Sequence, residues 1–100
     1  MAAKLITVLW REIPAQVIAK RGRAAAKVQL SRRFLVAIDR AAMRAGKGSS
    51  DEYLKDWRRE SRDCGNDLEA EVRAEAERLE QAFGDELLER MIKAGGSKFP

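Results

Sequence analysis

The side chains in this chain best placed to do chemistry are cations. Nine Lys and Arg stand between Lys20 and Lys47 against one acid, Asp39. A run of this kind grips phosphates, each neutralised phosphate adding salt-dependent affinity, or it docks on an acidic partner. It also has an ordinary use, because Arg32, Arg33, Arg40 and Arg44 fall mostly on the solvent side of an amphipathic helix. Gly46-Lys47-Gly48-Ser49-Ser50 carries the residue types of a phosphate loop without its spacing and follows no strand, which makes it a flexible turn. No helix-turn-helix spacing, aromatic strand motif or zinc knuckle strengthens a nucleic-acid reading.

Nucleophiles and bases are scarce. The chain has no histidine, the usual general base near neutral pH and the commonest metal ligand. Its one cysteine, Cys64, allows neither an internal disulfide nor a Cys-based metal cluster. Cys64 lies two residues after Arg62 and near the start of a helix, where a thiolate is favoured, yet no base or resolving cysteine accompanies it. Glu69, Glu71, Glu75, Glu77 and Glu80 are spaced as a solvated helix face and form neither a metal set nor an acid–base pair. The residues therefore point away from an enzyme and imply no cofactor. Trp10 to Gln16 is the most individual segment: Arg11 and Glu12 beside a proline make a candidate ligand corner. The competing reading is a packed hairpin with Trp10 as a core anchor.

A small α+β fold must position these groups. Leu5–Trp10 is apolar and β-branched, which predicts a strand over 4–11 covered on both faces and ended by the approach of Pro14. A second strand over 15–21 follows so closely that the pair reads as an antiparallel hairpin. In Arg23–Leu30, Ala24-Ala25-Ala26 favours helix while Lys27-Val28-Gln29-Leu30 alternates like a strand; the reading leans to a short helical turn. Phe34, Ile38, Ala41 and Ala45 mark an amphipathic helix over 31–45, with Ser31 as its cap and Gly46 as its stop. Ser50 caps a helix over 51–57 that docks through Tyr53 and Trp57, and 58–63 is a possible polar edge strand. Asn66 and Glu69 resemble a capping box at the start of a helix over 66–94. Its stripe runs Leu68, Val72, Ala76, Leu79, Phe83, Leu87, Met91; Gly84-Asp85 interrupts or kinks it, with Asp85 recapping a final segment to Ala94, and Gly95-Gly96 stops it, after which Ser97–Pro100 frays. The expectation is one domain over 1–100, ordered over about 4–94, with a sheet of two or three strands against three to four helices.

Charge is divided along this layout. Residues 1–62 carry 15 Lys and Arg against 6 Asp and Glu, whereas residues 63–100 carry 5 against 10, so an acidic last helix can balance the basic part. No apolar run approaches the ~20 residues of a membrane helix, and the six-residue run at Leu5 lacks a cleavage site; the expected location is the cytoplasm.

Several pieces keep the order and spacing of a known family. Trp10-Arg11-Glu12-Ile13-Pro14-Ala15-Gln16-Val17-Ile18-Ala19-Lys20 is followed by Lys27-Val28-Gln29-Leu30 and by Arg33-Phe34 with Ala37-Ile38-Asp39 and Ala41-Ala42-Met43. Tyr53-Leu54 and Trp57-Arg58-Arg59 complete the set. Together they resemble the small bacterial virulence factor domain family, over residues 4–94, a domain also similar to a terminal segment of conserved virulence factor C. The resemblance implies no particular catalytic chemistry. It implies an accessory module, associated with folate- or corrinoid-dependent one-carbon metabolism or with virulence-related regulation. Its basic face would meet a protein partner such as a folate or corrinoid enzyme, or a polyanionic cofactor. Arg11, Lys20, Arg21, Arg23, Lys27 and Arg58, the cations on and around the family-like hairpin that no helix face absorbs, are the candidate partner- or anion-binding residues. The alternative is a nucleic-acid-binding regulator using the basic 20–47 stretch.

Overall fold

Strand pairing organises the chain from its first residues. A computed structural model describes residues 2–47 and 50–98, with the backbone alone at Ser50. In it, β1 (Ala3–Trp10), β2 (Ile13–Arg21) and β3 (Ala24–Gln29) lead into α1 (Arg32–Arg44) and α2 (Ser50–Lys55). Then come β4 (Trp57–Cys64), α3 (Leu68–Ala82) and α4 (Asp85–Lys93). The four strands form one antiparallel sheet in the order β3-β2-β1-β4. The α+β class is as expected, with β4 at an edge, but the sheet has one strand more than the two or three foreseen.

The added strand is β3, where a helical turn was expected. Alanine favours a helix by only a few tenths of a kcal/mol per residue over most residues, and pairing with β2 from Arg21↔Ala24 to Gln16↔Gln29 outweighs it. The small side chains suit the place, since α3 packs over β2 and β3 and Ala26 is buried beneath it. Three other boundaries differ. The expected helix over 51–57 is α2, with the expected cap Ser50 as its first residue, and Trp57 already belongs to β4. The stretch 66–94 breaks at Phe83–Gly84 into two helices, as the expected interruption at Gly84-Asp85 allowed, but its start differs: α3 is capped by Asp67, not Asn66, the Asp67 carboxylate accepting from the Ala70 amide. Pro14 stands inside β2, at the point where the pairing becomes irregular. The Gly48-Ser49 part of the expected loop and the Phe99-Pro100 end of the expected frayed tail lie outside the described residues.

That irregularity sets the phase of the sheet. Val8 pairs with Gln16 and Leu9 with Pro14, so Ala15 is an extra residue on β2, a bulge whose carbonyl accepts from the Leu30 amide. Past the bulge, Leu5, Val17, Ala19 and Ala26 alternate onto one face and join Val72, Ala76 and Leu79 of α3 in the core. Phe34, Ala37, Ile38 and Ala41 of α1 and Leu88, Met91 and Ile92 of α4 extend that core, and Phe34 meets Phe83 edge-on. Β1 is therefore not covered on both faces. Leu5 is buried, but Ile6, Thr7 and Val8 are only half-buried.

One end of the sheet is closed by a cluster around Trp10, fully buried as the core-anchor reading required. Its Nε1 donates to the Tyr53 carbonyl at 2.9 Å, its ring stacks on Tyr53 at 5.9 Å, and Tyr53 meets Trp57 edge-on. Helix α4 ends in a Schellman motif, Gly95 and Gly96 having φ of +71° and +101° while their amides donate to the Ile92 and Met91 carbonyls. The turn lies against Trp10 so closely that a Cβ on Gly96 would stand 2.7 Å from the indole ring.

Candidate functional site

Three cross-strand rows define the sheet face opposite the core. Read from β3 to β4 they are Gln29–Gln16–Val8–Arg59, Lys27–Ile18–Ile6–Ser61 and Ala25–Lys20–Lys4–Asp63. With strands about 4.8 Å apart and residues about 3.3 Å apart, this grid spans roughly 14 by 13 Å. Half-buried Ile6 and Val8 form its apolar centre together with Ile18, which is only 8% exposed, and all three stand outside the hydrophobic core cluster. Lys4, Lys20, Lys27, Gln29, Arg59, Ser61 and Asp63 around them are exposed. Four cations thus share the face with one carboxylate. Lys4 pairs with Asp63, and among the described residues no ion pair engages Lys20, Lys27 or Arg59. A face like this has two attractions, apolar contact at the centre and positive potential around it.

The six basic residues singled out in the sequence do not gather at one place. Arg11 and Arg58 sit at the Trp10 end and are occupied internally. The Arg11 guanidinium bonds Asp56 at 3.1 Å and the Gly95 carbonyl at 2.9 Å and lies 5.0 Å from the Trp10 ring centroid. Arg58 donates to the Arg11 carbonyl and pairs with Glu60. Lys20, Arg21 and Arg23 lie at the opposite end, around the β2–β3 turn where Gly22 takes a φ of +59°. Lys27 stands between, on the middle row. Lys20 and Lys27 share the open face; Arg21, paired with Ala24, alternates to the other side, and Arg23 is on the turn.

Sequence reasoning missed Ile6, Val8, Ile18, Lys4 and Arg59 as parts of a surface. The alternations Lys4-Ile6-Val8, Gln16-Ile18-Lys20 and Lys27-Gln29 carried the signal, but they join only once the register is known.

On the helix-covered side, α3 leaves part of β1 and β4 uncovered, making a cleft of about 360 Å³ lined by Thr7, Leu9, Arg58, Glu75, Arg78 and Lys98, among others. Glu75, expected on a solvated helix face, is instead buried, three residues after Val72 and four before Leu79 on the stripe that packs on the sheet. Its carboxylate accepts from Arg78 Nε at 2.8 Å and Nη2 at 2.6 Å and from Arg62 at 3.3 Å. The Arg78 bonds hold its pKa below the usual carboxylate value, against the effect of burial. The cleft's cations are thus matched by carboxylates, and the buried one is already satisfied. Glu80 is also held low: burial opposes this, but the amide and hydroxyl of Ser31 and the Arg33 guanidinium bond its carboxylate. Ser31 thus stands at the head of α1 bonding another helix and making no side-chain cap.

Cys64 is half-buried at the end of β4, and burial, followed by nearby Glu71, pushes its thiol pKa up, the reverse of an activated nucleophile. Among the described residues, no cluster of three or more His, Cys, Asp or Glu side chains could hold a metal ion, and no helix is long and apolar enough to cross a membrane.

The arrangement defines a class: a four-stranded antiparallel sheet with helices over one face and a basic, apolar-centred surface on the other. The family described as virulence factor has a model that matches residues 8–92, and the chain belongs to that family. Neither the curated proteins nor the solved structures give a match.

Proposed function

We propose that this virulence factor domain is a non-enzymatic interaction module that docks an acidic partner on its open sheet face. The observation that carries the reading is the set Lys20, Lys27 and Arg59, which no ion pair among the described residues engages, around half-buried Ile6 and Val8 and the more deeply set Ile18 on the face opposite the core. Hydrophobic centre and charged surround are the parts of an interface, the first supplying affinity and the second orientation and on-rate. The first baits are the enzymes that the family resemblance suggested, those of folate- or corrinoid-dependent one-carbon metabolism and of virulence-related regulation. The nucleic-acid alternative draws on the same cations, but the three rows carry no aromatic ring, and in the next row on that face Trp10 is fully buried and Trp57 half-buried, both packed with Tyr53.

The test is an affinity capture from native lysate with three forms of the chain: wild type, K20E/K27E, and R32E/R44E, which reverses charge on α1. A partner retained by wild type and R32E/R44E but lost with K20E/K27E supports the reading. Equal retention by all three overturns it, as does recovery of ribosomes and chaperones alone. Binding of a labelled DNA duplex at low salt, abolished by K20E/K27E, would turn the assignment to nucleic acid.

A further inference from the structure

We infer that the element docked on the open face is an acidic amphipathic helix of a protein partner, an inference that rests on the reading above. The backbone decides the form of the occupant. Within the sheet, the amides and carbonyls of β1 and β2 are committed to ladder bonds with neighbours on both sides, so the face offers an incoming chain no backbone partners. An extended peptide laid across it would leave its own peptide groups to water at one side and unpaired at the other. A helix arrives with its backbone bonds already made.

The side chains decide its chemistry. Ile6 and Ile18 are direct cross-strand neighbours, about 5 Å apart, and Val8 lies two residues further along β1, about 7 Å away. These spacings match those of apolar residues at i, i+3 and i+4 on a helix. Lys27 flanks the trio on the β3 side, Arg59 on the β4 side, and Lys20 beside Lys4 closes one end. A helix seated on the trio therefore has a cation within reach along both flanks, and Asp or Glu bordering its apolar stripe meets each of them. Only Asp63, already paired with Lys4, stands against it. Single-stranded nucleic acid fits the cations but not the aliphatic centre, where stacking rings would be needed.

The test selects binders to the full chain from a displayed library of random 16-residue peptides and measures the winners by fluorescence anisotropy, circular dichroism and amide-resolved NMR. The expected winners carry Asp or Glu beside an i, i+3, i+4 apolar stripe and gain helicity on binding. They should perturb the amides of Ile6, Val8, Ile18, Lys20, Lys27 and Arg59, and lose at least tenfold in affinity with K20E/K27E. Winners that bind extended, lack acidic residues or map to another surface overturn the inference, and so does a library that yields no binder. Displacement of a winner by a 20-nucleotide single strand at equal concentration overturns the choice of a helix over nucleic acid. If the inference fails while the lysate partner still depends on Lys20 and Lys27, the partner uses another element and the interaction-module reading stands; loss of both removes the reading itself.

Discussion

Removing Arg78 should cost more stability than removing Glu75, although the two are partners. Glu75 is 7% exposed, while the Arg78 side chain is 62% exposed and that of Arg62 59%. Arg78→Ala deletes two charge-assisted bonds and leaves a buried carboxylate with only the longer Arg62 contact at 3.3 Å. At full strength such bonds contribute about 1.5–3 kcal/mol each; with the cation largely in water the loss falls to about 2 kcal/mol in total. Glu75→Leu instead releases two exposed cations to solvent, where they lose little, and puts an apolar side chain beside Leu79 and Leu9, so it should stay within about 1 kcal/mol of wild type. Urea denaturation followed by circular dichroism at pH 7 measures both. The pH dependence gives an internal check. The folded-state pKa of Glu75 is depressed, so its contribution is present above the ordinary carboxylate value of 4.5 and is lost as pH falls through the lower folded value. Glu75→Leu should lack this part of the acid loss, gaining on wild type between pH 5 and pH 3. Should Glu75→Leu prove the costlier variant at pH 7, the buried carboxylate is not the strained partner and the reasoning fails.

Other outcomes follow from single contacts. Arg11 has a φ of +54°, in the left-handed region, and holds Asp56 and Gly95 with its side chain. Arg11→Ala keeps the strain and loses the bonds, about 2 kcal/mol by thermal melting, while Arg11→Gly should be about 1 kcal/mol milder because glycine relieves that φ. Gly96→Ala combines a φ of +101° with a Cβ 2.7 Å from Trp10, and should lower stability by about 2–4 kcal/mol in the same assay. Cys64, with its raised thiol pKa, should react with iodoacetamide at pH 7.5 several-fold more slowly than free cysteine, as followed by mass spectrometry; equal or faster alkylation would contradict the raised value.

The local signals were legible where one physical effect dominates. Phe34, Ile38 and Ala41 give α1 unaided, and the run from Leu5 to Trp10 gives β1. Legibility failed where a distant element decides. Ala24–Ala26 has a helical preference that pairing with β2 overrides, and nothing local announces that pairing. Glu75 looks like its neighbours Glu71 and Glu77 until α3 is laid on the sheet. The candidate site suffers most: its side chains come from four strands, and β1 alone, apolar at nearly every position, hides which of its two faces is covered. Arg11 and Arg58 show the converse: their charge suggested a partner outside, and no local pattern announced that Asp56, Gly95 and Glu60 engage them within the fold.

The extra residue at Ala15 gives the first hairpin one residue more than regular pairing needs. Deleting it while keeping the Arg11-Glu12 turn would join Leu9↔Pro14 directly to Val8↔Gln16, so Val17 and Ala19 keep the core face and Ile18 and Lys20 the outer one. What goes is the bulge itself, with its local twist and the carbonyl that accepts from the Leu30 amide. At the Gly22-Arg23 tip an added residue can loop into water with both strands in register. Among relatives of this domain, insertions should therefore collect at the second turn, and the first hairpin should tolerate the loss of the bulge residue.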